Sequence, residues 1–346
     1  MNAHNTSITF TKAALLALFS IIAHNAIAQF QIVNSSTPGV YTISGASFGS
    51  SPGTVIHDDF ETGAADQPLK NWEVSSNGGQ DPVYASNVAV NGQMSGKSRF
   101  FGSNYNSTAE YKRLGSLQKV YLSYYVKVER VSGNATRNLK LARISAGYSG
   151  GYTQITGITL FDTNKSGILY NYHSPLQDQN QVWAGQEILD GYWTRVEYFL
   201  ELSTPAGATN GNFWIKRNGK TSALFNNVIT ESTGKRMEWL TLPYFVAHDP
   251  GGDYNIYYDN VVLSSNQARV ELCDKSDYAS CKQPIIAKVV SWSDSQIIIN
   301  PLSSTLNYYY VFLSDGSLMN QNGITVSAGS TVSPPLAPSN LTVSSL

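Results

Sequence analysis

Two segments in the middle of the chain, Val120 to Glu129 and Trp193 to Leu202, have the alternation of apolar and polar residues that is typical of β-strands. The second face of each strand carries aromatic and charged side chains. Sugar recognition needs an aromatic surface for the ring and polar groups for the hydroxyls. If these faces belong to the concave sheet of a sandwich, the predicted ligand-binding residues are Tyr121, Tyr125, Lys127, Trp193, Arg195 and Glu197. The alternative is that these side chains pack beneath loops or against another domain.

A second set of residues could catalyse β-elimination of a uronate polymer. That reaction needs a group that neutralises the uronate carboxylate, usually Arg, Gln or Asn, and a Tyr or His that moves the proton. The candidates for this chemistry are Arg143, Gln154, His248, Tyr244 and Lys140. Because His248 precedes an Asp-Pro-Gly-Gly stretch, a loop residue without catalytic role is the simpler interpretation of that histidine.

Four acidic residues lie near the two ends of the central region. Asp58, Asp59 and Glu61 accompany the first predicted strand there, and Asp259 lies on the last. Carboxylate oxygens are ligands that Ca²⁺ prefers, so a calcium site is one interpretation. The other is that these acids cap turns or pair with Arg and Lys.

The chain has two cysteines, Cys273 and Cys281, eight residues apart in a polar segment. A zinc site would need more ligands, and no histidine lies nearby in the sequence. The pattern therefore predicts a local disulfide, as expected for an exported protein.

The first 28 residues predict a signal peptide. Lys12 is their only formal charge, an apolar run follows from Ala13 to Ile22, and Ala26-Ile27-Ala28 is the small-x-small pattern of a cleavage site. The apolar run is too short to span a bilayer, and no later segment approaches that length. We expect a protein that is secreted, periplasmic or on the cell surface.

The composition favours an extracellular β-protein. Charged residues make up only 14% of the chain and aromatic residues 12%, with 21 tyrosines. The formal net charge of −1 provides no basic surface for phosphate backbones, which excludes a nucleic-acid partner. Outside the signal peptide no segment has sustained helical periodicity, so the predicted class is all-β.

The two ends of the mature chain carry short stretches that resemble one small immunoglobulin-like domain of the IPT/TIG family. Ile43 to Gly49 reads Ile-Ser-Gly-Ala-Ser-Phe-Gly, Trp292 to Ile297 reads Trp-Ser-Asp-Ser-Gln-Ile, and Tyr308 to Phe312 is rich in tyrosine. The resemblance implies a split domain, residues 29–56 and 283–327, interrupted by an insertion at a loop. Two unrelated hairpin regions flanking a sandwich are the alternative.

The insertion, residues 57–271, resembles a concanavalin A-like jelly roll, the fold of legume-type lectins, laminin G domains and several polysaccharide lyases. Loose motifs carry this resemblance: Asp58 to Glu61, Gly191 to Glu197, Asn210 to Gly219 and Ile256 to Leu263. The signatures of the best-known alginate lyases, Gln-Ile-His and Tyr-Phe-Lys-x-Gly-x-Tyr, are absent. The resemblance therefore implies a fold rather than an activity.

Together these observations predict a jelly-roll sandwich plus a small immunoglobulin-like sandwich formed by both ends of the chain, followed by a Ser- and Pro-rich tail or linker at 328–346. The first functional hypothesis is an exported, non-catalytic protein that binds a polysaccharide or surface glycan. The alternatives are a polysaccharide lyase acting on uronate polymers and a structural or adhesive surface protein.

Overall fold

The computed structural model describes residues 31–34, 39–77, 81–100, 107–132, 138–146, 153–161, 167–171, 181–184, 191–242, 245–246, 253–300 and 306–325. Within these ranges the chain forms antiparallel sheets and one short 3-10 turn, Tyr278–Ser280. The all-β prediction is confirmed. The described part contains no helix with the length and apolar character needed to cross a membrane. The predicted signal peptide and the predicted tail lie outside the described residues.

One large sheet, called here the front sheet, has eight strands. In spatial order they are β12 (Gln181–Ala184), β11 (Gly167–Asn171), β10 (Thr153–Phe161), β9 (Asn138–Ala146), β16 (Met237–Leu242), β7 (Ser107–Leu117) and β4 (Glu73–Asn77), with β17 (Phe245–Val246) also paired to β9. Side chains are described for only part of this sheet, chiefly β7, β9 and β16.

The second large sheet, the back sheet, also has eight strands. In spatial order they are β15 (Lys220–Val228), β14 (Gly211–Arg217), β13 (Trp193–Glu201), β8 (Lys119–Arg130), β18 (Tyr254–Ser264), β6 (Met94–Phe100) and β5 (Val83–Ser86), with β3 (Thr54–Asp58) also paired to β18. The two predicted strands with alternating patterns correspond to β8 and β13.

The front and back sheets enclose one apolar core. Alternation in β8 points Leu122, Tyr124 and Val126 into it, where they meet Ile144 and Leu240 of the front sheet. All five side chains are fully buried, and each of the four aliphatic ones contributes about 1.5–3 kcal/mol through its removal from water. The residues between them on each strand must therefore face outward, and those outer faces carry the candidate sites.

Strands from both ends of the chain form a smaller lobe, called here the small lobe. One of its sheets has the order β1 (Gln31–Asn34), β2 (Tyr41–Ser44), β22 (Gln296–Asn300), β21 (Lys288–Trp292). The other has the order β20 (Ile285–Ile286), β19 (Arg269–Cys273), β23 (Tyr308–Phe312), β24 (Ile324–Thr325). The first sheet joins strands that are about 250 residues apart in sequence, because β2 pairs with β22 from Tyr41–Ile299 to Ser44–Gln296.

The two small sheets share a core of their own, which includes Ile43, Phe48, Val270, Ile297 and Val311. The small lobe is thus a second sandwich built from both ends of the chain, while its relation to the IPT/TIG family stays a prediction. The predicted insertion ended at residue 271, but β19 runs from 269 to 273 and pairs with β23. The last strand of the large sandwich is β18, which ends at Ser264.

The predicted disulfide is confirmed. Cys273 ends β19 and bonds to Cys281 with an S–S distance of 1.98 Å. The bridge closes the segment that contains the 3-10 turn, whose start is capped by the carboxylate of Asp277.

Candidate functional site

The small lobe packs on the outer face of the back sheet and covers most of the predicted ligand-binding residues. Tyr121, Tyr125, Arg195 and Glu197 are at most 3% exposed. The hydroxyl of Tyr125 donates a hydrogen bond to the carbonyl oxygen of Pro284 in the small lobe, at 2.8 Å. The prediction that these four residues contact a glycan is wrong. Their polar and aromatic character serves the contact between the two lobes.

A buried network of two arginines and two glutamates forms the centre of this contact. The guanidinium of Arg195 donates to both oxygens of Glu271, at 2.9 and 2.7 Å, and also to Glu197 at 3.2 Å. Arg269 pairs with Glu271 and stacks over the ring of Tyr121, 4.8 Å from its centroid. The charges balance, since two cations face two anions in a region that water does not reach.

Two tyrosines complete the network by donating their hydroxyl protons to the glutamates. Tyr121 donates to Glu197 at 2.7 Å, and Tyr278 donates to Glu271 at 2.6 Å. Burial raises the pKa of Tyr121 well above its usual range. Burial by itself would also raise the pKa of Glu271, but Arg195 and Arg269 outweigh that effect and hold it well below its usual range. Glu271 and the two arginines therefore stay charged at neutral pH.

Lys127 and Trp193, the other two predicted ligand-binding residues, lie beyond the edge of the small lobe and are half-buried. They are directly paired across β8 and β13. The structure places them beside Tyr257 of β18, a residue that the sequence analysis did not select. The ring centroids of Trp193 and Tyr257 are 6.5 Å apart, and Lys127 Nζ lies 5.6 Å from the centroid of Tyr257.

The outer face of the front sheet carries a more extended polar and aromatic surface. One row crosses four strands, because Arg143 pairs with Thr241, Thr241 with Tyr111, and Tyr111 with Glu73. In a parallel row Ser145 pairs with Trp239 and Trp239 with Arg113. Directly paired residues share a face, so the two rows form one patch. We call this patch the front face; its members are Glu73, Tyr111, Arg113, Arg143, Ser145, Trp239 and Thr241.

The front face is low at Thr241 and higher on either side of it. Thr241 is small and buried, and Tyr111 and Arg143 on either side of it are half-buried. In the second row Ser145 stands at one end, and Trp239, only 7% exposed, lies between it and Arg113. Arg113 is mostly exposed, and its guanidinium lies 4.6 Å from the centroid of the Trp239 ring. Its Nε atom is 3.4 Å from a carboxylate oxygen of Glu73. Two arginines and a tyrosine around the low position of Thr241 can hold an acidic ligand.

Three of the five predicted β-elimination residues belong to strands of the front sheet. Arg143 lies on the front face itself. Gln154 pairs with Ser145 and Lys140 pairs with Phe245 in the backbone register, but their side chains are not described. Tyr244 and His248 lie outside the described residues.

Sequence reasoning missed Tyr111, Arg113 and Trp239. Glycine and charged residues interrupt the alternation of residues 107–117, so the sequence does not predict a strand there. Trp239 and Thr241 alternate with the buried Leu240 and Leu242, so the pattern from Trp239 onward is a usable signal, whereas a bulge between Met237 and Trp239 breaks the alternation before it.

The four carboxylates proposed for calcium do not form one site. Asp58 accepts hydrogen bonds from Phe60 N and Trp72 Nε1, and Asp59 accepts one from Glu61 N. Among the described residues, no three of these carboxylates bring oxygen atoms within 4.8 Å of one another. The predicted set of four ligands is therefore wrong, and Asp58 and Asp59 bind backbone and indole N–H groups instead.

Glu61 and Asp259 bind a common loop. Glu61 accepts from Gln93 N and Met94 N at 2.9 and 2.8 Å, and Asp259 accepts from Val90 N at 2.7 Å. Burial raises the pKa of Asp259 to about 7 in spite of its backbone donors. The two carboxylates thus fasten the segment between β5 and β6 to the end of the sandwich.

No protein-family model matches the chain, and no curated protein matches it. Among solved structures, it is similar to the endo-β-1,4-glucuronan lyase of the fungus Trichoderma reesei, with a TM-score of 0.45 and 15% identity over 61% of this chain and 95% of that chain. It is also similar to the cellulose-induced protein Cip1, with a TM-score of 0.44 and 14% identity over 61% of this chain and 97% of that one.

A third similar structure is the alginate lyase vAL-1 from Chlorella virus, with a TM-score of 0.41 and 12% identity over 56% of this chain and 93% of that one. At such values the likeness concerns the β-sandwich architecture alone.

Proposed function

We propose that the large sandwich binds an acidic polysaccharide across the front face and that the protein is exported. The observation that carries this proposal is the row in which Arg143 and Tyr111 stand on either side of the small residue Thr241, with the exposed Arg113 two positions from Tyr111 on the same face of β7. A surface of this kind accepts an acidic polymer, because its arginines offer charge and Tyr111 offers an aromatic ring and a hydroxyl beside the low position of Thr241.

The preference for an acidic polymer follows from the two arginines. A guanidinium can donate two parallel hydrogen bonds to one carboxylate, which is the strongest polar contact available to a uronate residue. Glu73 is the only carboxylate that belongs to the front face as defined from the described residues, and it lies against Arg113. Arg143 is on the opposite side of the front face, three strands from Glu73 in the sheet order and about 14 Å across it.

The test is calorimetric titration with a polyuronate and with the same polymer after reduction of its carboxyl groups. The wild type should bind the acidic form more tightly. Arg113→Gln and Arg143→Gln should each weaken that binding roughly tenfold, the cost of one charge-assisted hydrogen bond. Lys220→Gln, on an exposed hairpin of the back sheet, is the matched control and should bind like the wild type. Equal affinity of the wild type for both polymers would refute the proposal.

A second candidate function, β-elimination of the bound uronate, is favoured by one feature. Arg143 and Tyr111 lie in the same row, two strands and about 10 Å apart, on either side of Thr241. A sugar ring between them could place its carboxylate at the arginine and its C5–H at the tyrosine oxygen. That oxygen would take the C5 proton and return it to the glycosidic oxygen as the C4–O bond breaks and the C4=C5 double bond forms. Release of an unsaturated uronate, followed by its ultraviolet absorbance, is the test of this second candidate.

A further inference from the structure

A separate cleft lies on the opposite side of the large sandwich, on the outer face of the back sheet. It has a volume of about 410 Å³ and is lined by Asp66, Asp81, Val83, Lys97 and Arg99. This volume falls in the range of sites for small ligands, about 300–1,000 Å³. None of these residues belongs to the front face or to the contact with the small lobe.

The cleft continues into a row of side chains across five strands. Val83 pairs with Lys97, Lys97 with Tyr257, and Tyr257 with Lys127, which pairs with Trp193. Lys97 and Lys127 lie on either side of Tyr257, with their Nζ atoms 5.8 and 5.6 Å from its ring centroid. Tyr257 itself is only 5% exposed, so the row extends the cleft with the two half-buried lysine side chains and ends at the half-buried Trp193, along a line perpendicular to the strands.

Hydrogen bonds hold the parts of this surface in place. The loop that carries Asp66 is fixed to β5, since Asp66 N donates to Tyr84 O at 2.8 Å and Tyr84 N donates to Gln67 O at 2.9 Å. At the other end, the hydroxyl of Tyr257 donates to Glu129 at 3.0 Å. These parts of the surface are therefore ordered before a ligand arrives. Binding then loses little conformational entropy in the protein, which favours affinity.

The charges of the cleft select the class of ligand. Lys97 and Arg99 are donors that would repel a cation, whereas Asp66 and Asp81 are acceptors that would repel an anion. A sugar hydroxyl both donates and accepts hydrogen bonds, so a neutral saccharide can contact the acidic and the basic residues of the cleft alike. The apolar face of one ring can pack on the half-buried Val83 and on the aliphatic part of the Lys97 side chain beside it, and Trp193 at the far end of the row is the partly exposed aromatic ring.

We propose that this cleft and the adjoining row form a second saccharide site, specific for a neutral oligosaccharide. The inference goes beyond the proposed function, because it concerns another ligand class on the other sheet. The two sheets of a sandwich are about 10 Å apart, so the two sites lie back to back. One molecule could then hold an acidic polymer on one side and a neutral polymer on the other.

The experiment is calorimetric titration of the whole protein with a panel of neutral gluco-, xylo-, manno- and galacto-oligosaccharides. At least one of them should bind, and Asp81→Ala and Lys97→Gln should each weaken that binding roughly tenfold. Lys220→Gln is the control for removal of a lysine. Thermal unfolding of each variant verifies that it is folded, which is expected because Asp81 is exposed and Lys97 lies on the outer face.

Failure of every oligosaccharide to bind the wild type would overturn the proposal, as would binding that neither substitution weakens. Neither result depends on the front face. Arg113→Gln should leave the affinity for the neutral ligand unchanged, so the proposals for the two sites are tested independently. A protein that binds a neutral oligosaccharide but no polyuronate would retain the second site and lose the proposed function.

Discussion

Arg195 of the back sheet and Glu271 of the small lobe form a two-pronged ion pair, with Nη1–Oε2 and Nη2–Oε1 distances of 2.9 and 2.7 Å. Both side chains are buried. Each residue lies within a strand, β13 in one lobe and β19 in the other. This ion pair holds the two lobes in contact in the folded protein. Separating the lobes would leave each buried charge without its partner.

Replacement of Glu271 by Gln should destabilise both lobes together. It leaves Arg195 and Arg269 with one carboxylate, Glu197, and we expect a loss of about 3–5 kcal/mol, as for other broken buried ion pairs. Chemical denaturation measures the loss, and hydrogen exchange should show reduced protection in β13 and β19 alike. The control is Lys119→Gln, which removes an ion pair at the surface and should cost less than about 1 kcal/mol. Loss of protection in the small lobe alone would contradict this view of the contact.

Removal of the disulfide should lower stability by a smaller amount. The bridge between Cys273 and Cys281 closes a short loop, and the entropy of such a loop in the unfolded chain corresponds to about 2–3 kcal/mol. The double variant Cys273→Ala/Cys281→Ala should therefore unfold at lower denaturant concentration than the oxidised wild type. Reduced wild-type protein should unfold near the variant. If oxidised and reduced protein unfold together, the bridge does not stabilise the fold.

His57 should make the protein less stable in mild acid. Burial lowers its pKa to about 4, with Asp59 opposing the shift and Lys288 adding to it, and its Nε2 atom has no hydrogen-bond partner among the described residues. The unfolded chain takes up this proton near pH 6.5, the usual value for histidine. Between these two values the unfolded state holds more protons, so stability falls as pH falls from about 6.5 towards 4.

The measurement is the denaturation midpoint as a function of pH for the wild type and for His57→Phe. The variant should lose part of the slope between pH 4 and 6.5 and keep the same slope above pH 7, where His57 is uncharged in both states. Parallel curves over the whole range would show that His57 does not contribute to the acid sensitivity.

The fold was largely predictable from the sequence, because alternation and composition are local signals. β8 and β13 follow from their alternation, and the disulfide from the spacing of its cysteines. The function of the outer faces was not predictable in the same way. Tyr121 and Arg195 have the residue types of a glycan-binding surface, but the small lobe covers them, and a strand pattern cannot tell solvent from a second domain.

The front face could not be predicted from the sequence for a different reason. Its members come from β4, β7, β9 and β16, and only the strand order brings them together. Arg143 is predicted from its chemistry, but Tyr111 lies in a strand whose alternation is weak, and Trp239 belongs to none of the predicted sites. Pairing between strands that are distant in sequence was the missing information.

Tyr111→Phe should separate binding from β-elimination on the front face. The substitution keeps the ring and removes only the hydroxyl, so affinity for the acidic polymer should change less than about threefold if that hydroxyl makes no essential contact in the bound state. A lyase that uses this hydroxyl to move the proton would lose at least about a hundredfold in rate. Arg143→Gln should weaken binding in either case. If the wild type and Tyr111→Phe release unsaturated product equally fast, Tyr111 is not the proton-transfer group, whereas no product from the wild type would leave binding as the function of the face.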